Sequence, residues 1–193
     1  MTEITENTDN KEKLPKAVET FVLNWGDLGS KWGVNRSVSQ IHAYLYLADT
    51  PQTAEQIADE LDMARSNVSN SIKELLNWTL IYRVPIRGDR RDHFKAETDV
   101  WEIAARIAAG RKAREIDPAL VTLRDSVSQA EGDPLISKEK LEKLKAMLEF
   151  TESVDRWYNQ MLSLPKARRA TLLKLGAKIS SYLPKSPRRK DKQ

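Results

Sequence analysis

A chain of 193 residues, 40% hydrophobic and 31% charged, can bury one ordinary core with a helical extension, arranged as one or two domains. It has no cysteine, which excludes disulfides, thiolate metal sites and thiol-based peroxide sensing within the chain, and its two histidines, His42 and His93, lack further ligands at metal-binding spacing and read as structural. No Gly-rich phosphate loop, Gly-x-Ser-x-Gly turn or stretch of about 18 apolar residues is present, so neither an enzyme, a cofactor nor a membrane span is expected, and the net charge of +4 matters only through where the charges sit.

Residues 1–13 are polar and lean acidic through Glu3, Glu6, Asp9 and Glu12, without the basic flank and apolar stretch of a secretory signal. They are expected to form a disordered leader on a cytoplasmic protein. Pro15 to Trp32 carries Val18, Phe21, Val22, Trp25, Leu28 and Trp32 at helical spacing, which predicts an amphipathic helix with its large rings buried. Ser37-Val38-Ser39-Gln40 has the pattern of a capping box and starts a second helix, with Ile41, Tyr44, Leu45 and Ala48 inward until Asp49-Thr50-Pro51 stops it.

Thr53-Ala54-Glu55-Gln56 is a further capping box, and Ile57, Ala58 and Leu61 fall on one face of the helix it opens. After a short turn near Asp62-Met63, Val68, Ile72, Leu75 and Leu76 form an apolar stripe that leaves Ser66, Asn67, Asn70 and Lys73 on the opposite side. Leu80 to Ile86 then reads as a strand, Pro85 suits a sheet edge, and His93-Phe94-Lys95-Ala96 can pair with it. Between the strands Arg87, Arg90 and Arg91 stand on a short Gly-containing turn with only Asp89 and Asp92 near them.

Helix, turn, helix and basic hairpin together spell a winged helix-turn-helix. From Ala64 to Lys95 seven basic residues oppose three acids, a balance of +4, whereas Thr53 to Asp62 holds four acids and no base. That segregation predicts that the second helix and the hairpin meet double-stranded DNA, the helix in the major groove and the arginines on phosphates or a minor groove. The alternative is an adaptor that binds proteins through its winged helix and has no need of the arginine cluster.

Beyond Asp99 the chain is helical to nearly its end. Val100, Ile103 and Ile107 lead, with small residues among them; Asp117-Pro118 predicts a break or kink, followed by Leu120, Leu123 and Val127 in a new register that ends at Glu131-Gly132-Asp133-Pro134. From Ser137, Leu141, Leu144 and Leu148, then Met147, Phe150, Val154, Trp157, Met161 and Leu164, recur at spacings of three and four, a heptad-like seam suited to dimerisation. Pro165 to Leu183 is a last helix with Lys166, Arg169, Lys174 and Lys178 outside, and Lys185 to Lys190 a basic tail, either solvated or attracted to phosphate. The expected fold is mainly α with a small β-hairpin. Its divisions are a winged-helix domain with its N-terminal helix over 14–98, a helical dimerisation and effector region over 99–184, and a disordered tail over 185–193.

Five short stretches carry a resemblance: Phe21-Val22-Leu23-Asn24-Trp25-Gly26, Trp32-Gly33-Val34-Asn35-Arg36-Ser37, Asn67-Val68-Ser69, Arg90-Arg91-Asp92 and Arg114-Glu115-Ile116-Asp117-Pro118. In this order, from about Val18 to Leu123, they resemble the GbsR-type branch of the MarR superfamily of bacterial transcriptional regulators. The resemblance implies a homodimeric repressor on an inverted-repeat operator, with Arg65, Ser66, Asn67, Ser69, Asn70 and Lys73 on the recognition helix and Arg87, Arg90 and Arg91 on the wing. Outside the resemblance, the heptad-like seam places dimerisation on Phe150, Val154, Trp157, Met161 and Leu164. At Asp62-Met63-Ala64 the pattern departs from a Gly-containing turn with a Ser or Thr cap; Ala64 cannot cap, so a start at Ser66 is expected. Some members of the branch answer to choline, and Trp25, Trp32 and Trp101 supply rings for a small-molecule effector of that kind, although aromatic residues at helical spacing usually pack a core.

Overall fold

The computed structural model describes residues 14–179; the expected leader over 1–13 and tail over 185–193 lie outside them. The chain divides into two compact units, one ending at Arg106 and the other beginning at Ile107, eight residues beyond the boundary expected from sequence. Arg106 accounts for the later boundary: it pairs with Glu97 at 3.1 Å and Glu102 at 3.0 Å, and donates to the Thr79 carbonyl, which binds the start of the fifth helix to the winged helix.

The first unit contains α1 (Lys16–Lys31), α2 (Arg36–Leu47), β1 (Gln52–Thr53), α3 (Ala54–Glu60), α4 (Arg65–Asn77), β2 (Ile81–Val84), β3 (His93–Ala96) and the start of α5 (Val100–Arg111). The centre is α2. Val38 to Leu45 are all buried, because α1, α4 and β3 pack around this one helix. Its cap is Asn35, whose Oδ1 accepts the Ser37 amide at 2.8 Å, and not Ser37 as the sequence pattern suggests; Asn is as good a cap as Ser and lies before the first helical residue.

The packing of α1 also differs from expectation. The face turned to α2 carries Val22 and Gly26, with Val18 and Gly29 half-buried, while Trp25 and Leu28 are exposed and Trp32 is 62% exposed. A Cβ at Gly26 would lie 2.5 Å from Gln40 Cγ, and one at Gly29 would lie 2.7 Å from Ser39 Cβ. The two glycines therefore let the helix backbones approach more closely than bulky side chains permit, and the ring-bearing side is turned away.

Thr53 holds two roles at once. It pairs with His93 in the sheet, of order β1-β3-β2, and caps α3, its hydroxyl accepting the Gln56 amide while Gln56 Oε1 accepts the Thr53 amide at 2.8 Å. The two-residue β1 gave no periodic signal and was not expected. The β2–β3 pairing was: Ile81 faces Ala96, and Val84 faces His93.

The second unit holds the end of α5, a π turn (Lys112–Ile116), α6 (Asp117–Gly132), α7 (Lys138–Ser163) and α8 (Lys166–Ile179). At Asp117-Pro118, where a break or kink is expected, the helix runs on through the π turn. Pro118 has no amide hydrogen and its ring would crowd the carbonyl four residues back, and the wide turn just before it relieves this while shifting the register. Lys112 Nζ, 2.5 Å from Asp117 and 2.8 Å from Asp155, ties this turn to α7. The apolar residues of α7 divide into two stripes instead of one seam. Leu141, Leu144 and Leu148 are half-buried on one side, whereas Met147, Phe150 and Trp157 lie exposed on another.

His42 is buried on α2, its Nε2 lacks a hydrogen-bond partner, and desolvation lowers its pKa from 6.5 to about 4. Between these values the unfolded chain binds the extra proton, so stability is full above pH 6.5 and falls as the pH drops toward 4. Urea midpoints measured from pH 7 to 5 should decline with a component of up to about 1.4 kcal/mol per pH unit that His42→Phe lacks.

Candidate nucleic-acid interface

The turn between α3 and α4 solves its geometry without glycine. Asp62 takes φ +49°, a left-handed conformation that Asp tolerates, and the Met63 amide closes the turn on the Ala58 carbonyl at 2.9 Å. Helix α4 then begins at Arg65, one residue earlier than expected, with Ala64 as a cap residue that makes no side-chain hydrogen bond. Val68, Ser71, Ile72 and Leu75 are buried, and Arg65, Ser66, Ser69, Asn70 and Lys73 are exposed. The spacing i, i+1, i+4, i+5, i+8 puts these five on one face.

Asn67 departs from the expected set. It is half-buried, and its Nδ2 donates to Ser37 Oγ on α2 at 2.8 Å, so its amide is engaged within the subunit. Arg65 reaches back to Glu55 at 2.5 Å, a pair whose side chains are 76% and 50% exposed. Ions that open to water contribute little when paired, and Arg65 can exchange this carboxylate for another anion at low cost.

The hairpin is more ordered by its own charges than the sequence implies. Asp89 Oδ1 accepts the Arg91 amide at 2.9 Å, and the same carboxylate takes Nε at 3.0 Å and Nη2 at 2.5 Å of the Arg91 guanidinium. The Arg91 side chain and then its amide hold the Asp89 carboxyl well below the usual carboxylate range. The buried His93 ring sits beside them, Nδ1 3.0 Å from the Arg91 carbonyl and Nε2 3.5 Å from Asp89. Arg83 on β2 pairs with Asp92 at 3.1 Å. Of the three arginines expected to project together, Arg91 is thus committed to Asp89, because a carboxylate two residues away on a tight turn meets both its amide and its fork. Arg87 and Arg90 stay exposed and make no ion pair among the described residues, and Gly88 between them has φ +86°. Lys73 on α4 and Lys95 on β3 are likewise exposed.

A cleft of about 410 Å³ separates α4 from the hairpin. Ile72, Leu76 and Phe94 line it on the apolar side, and on the polar side Lys73, Arg83 and Arg91 stand with Glu55 and Asp92. The dimerisation candidates lie on α7 of the second unit, Phe150 66% and Trp157 56% exposed, Val154, Met161 and Leu164 half-buried. The effector candidates are not gathered into a cage: Trp25 stacks on Phe21 with ring centroids 5.4 Å apart, Trp32 is exposed, Trp101 is half-buried on α5, and neither this cleft nor a second of about 300 Å³ beside α1 is lined by any of the three.

Sequence reasoning missed Ser37 and Asp89 as residues that shape the interface. The Ser37 to Asn67 bond spans thirty positions and has no local pattern, whereas Asp89, two residues before Arg91, is the Asx-turn signal that could have found it. Replacing Asp89 by Ala should free the Arg91 amide, so its hydrogen exchange, followed by NMR, should quicken by about tenfold or more while the amides of α2 keep their protection.

Residues 27–92, from late α1 through the hairpin loop, match the MarR family. The HTH-type transcriptional repressor GbsR of Bacillus subtilis is 24% identical over 111 residues, 58% of this chain, and the chain spans only 60% of that relative's length. The HTH-type transcriptional regulator MmpR5 of Mycobacterium tuberculosis is 25% identical over 154 residues, 78% of this chain and 89% of MmpR5. A crystal structure of a transcriptional regulator shares the fold with a TM-score of 0.59 at 16% identity, covering 76% of this chain and 95% of that one. Family and relatives alike are regulators of transcription, not enzymes. No described helix is long and apolar enough to cross a membrane. A mostly helical chain with a small three-stranded sheet, it resembles the MarR family of transcriptional regulators over the segment that holds its helix-turn-helix and basic wing.

Proposed function

We propose that this protein is a sequence-specific repressor that binds double-stranded DNA as a homodimer on an inverted-repeat operator in the cytoplasm, and that it stands with the GbsR-type branch of its superfamily. One observation carries the reading. Ser66, Ser69, Asn70 and Lys73 form a single exposed face on α4, and two arginines without ion-pair partners among the described residues, Arg87 and Arg90, lie at the tip of the hairpin in the same unit. Hydroxyls and an amide suit base edges, and the cations suit phosphates or a narrow minor groove. Lys73, exposed on the wall of the cleft between α4 and the hairpin, suits a phosphate of a backbone running between helix and wing.

The homodimer is supported by α7, which runs 26 residues without burying one of them. Its outward stripe from Phe150 to Leu164 extends about 21 Å at the usual helical rise, long enough for a second copy to cover. Two such subunits would offer recognition helices to successive major grooves about 34 to 36 Å apart.

In gel shifts over a salt series, Arg87→Ala and Arg90→Ala should each weaken all sequences and reduce the salt slope by about 1, while Asn70→Ala should alter preference among sequences by about 1 to 3 kcal/mol per lost base contact. An unchanged affinity, slope and preference in all three overturns the reading. Trp157→Glu should raise the dimer dissociation constant by about thirtyfold or more in sedimentation experiments, the effect of losing a central aromatic anchor. A dimer as tight as the wild type would remove α7 from the interface.

A further inference from the structure

We propose that Ser37, on the first turn of α2, is a positioning residue for DNA reading, acting through Asn67 to hold the leading turn of α4. The inference rests on the DNA-binding function proposed above and adds to it the part that sets the aim of the helix.

The argument starts from a deficiency. Helix α4 opens at Ala64, which has no side chain to accept a first-turn amide, so the end of the helix that a major groove would meet lacks the local device that normally fixes it. Two tertiary contacts stand in its place. Arg65 pairs with Glu55 of α3 at 2.5 Å, and Asn67 donates to Ser37 Oγ of α2 at 2.8 Å. They are not equal. The Arg65 pair is largely exposed and easily exchanged for phosphate, whereas the bond to Ser37 is partly buried and shielded from water.

Ser37 is itself fixed: its amide is held by the Asn35 cap at 2.8 Å, at the start of the helix with the most buried centre in the unit. The rigidity of α2 therefore passes through Asn35, Ser37 and Asn67 to the turn that carries Arg65 and Ser66. Asn67 lies beside the exposed face and not on it, so the bond orients that face without occupying it. Aim matters because base-edge hydrogen bonds depend on distance and angle, while phosphate attraction falls off gently with both. Loosening the turn should cost discrimination before it costs general affinity.

The test uses the full chain and a DNA site selected by the wild type from a random pool, compared with the same site carrying one substituted base pair. Ser37→Ala should lower the ratio of the two affinities about three- to tenfold, the effect of one lost hydrogen bond, with the salt slope unchanged. Ser37→Thr, which retains the hydroxyl, should keep the wild-type ratio, and Ser37→Ala combined with Asn67→Ala should discriminate no worse than Asn67→Ala alone. Without DNA, amide exchange in the first turn of α4 should quicken in Ser37→Ala and not in Ser37→Thr. Wild-type discrimination in Ser37→Ala, or full additivity with Asn67→Ala, overturns the proposal while leaving DNA binding intact. If the wild type selects no site and Arg90→Ala changes nothing, the DNA-binding reading itself fails, and this inference with it.

Discussion

The winged-helix unit depends on the burial of α2 from several sides. A helix whose residues 38 to 45 are all out of water has no solvent face, so each neighbour must meet it closely. On one side α1 achieves this by presenting Gly26 and Gly29, and on others α4 contributes Val68, Ile72 and Leu75 and the sheet contributes Phe94 and Ala96. Close packing of this kind is stiff, since a displacement of α2 would open voids along every contact at once. It gives the exposed side of α4 a rigid back. The cost is a buried His42 whose Nε2 finds no hydrogen-bond partner, which makes the same core sensitive to acid.

Around that core, the interface is set by short links that join elements distant in sequence. Thr53 is at once a strand residue opposite His93 and the cap of α3, so the base of the wing and the start of the helix-turn-helix share one residue. Arg106 connects Glu97, Glu102 and the carbonyl of Thr79, a residue held at φ +53°. A β-branched residue in the left-handed region is strained, and the arginine holds the turn between α4 and β2 where it is needed. The hairpin tip is organised in the same way, with Asp89 consuming Arg91 so that the turn has one shape. Two positive charges are left outward, and a third is spent on order.

The second unit follows different rules. Among its described residues it has few buried side chains, and α6 and α7 are joined as much by ions as by apolar contact: Arg124 to Glu152 at 2.9 Å, Lys145 to Glu131 at 2.7 Å, and Lys112 to both Asp117 and Asp155. The first two pairs are largely exposed and contribute little individually. Lys112 is different, because its side chain is only 14% exposed and two carboxylates share it, beside the turn that Pro118 widens. A helical hairpin with so little interior has apolar surface to spare, and the outward stripe of α7 is that surface.

Local chemistry made much of this legible from sequence alone. The Thr53 and Gln56 box, the apolar stripe of α4, the strand pair around a Gly-containing turn and the Ser137 start of α7 each depend on residues within a few positions of one another, and such patterns survive whatever surrounds them. The polar face of α4 and the charge of the wing were visible for the same reason. What only the tertiary structure decided were choices between equivalent local options: which side of α1 is buried, which of Asn35 and Ser37 caps α2, whether Pro118 breaks a helix or widens it, and which wing arginine is tied to Asp89. Trp25 and Trp32 looked like core by hydrophobicity, yet the close approach of α2 selected the glycine side of their helix. Asn67 looked like a reading residue by spacing, yet Ser37, thirty positions earlier, claims its amide. Periodicity specifies a face, and only the packed neighbour decides what that face is for.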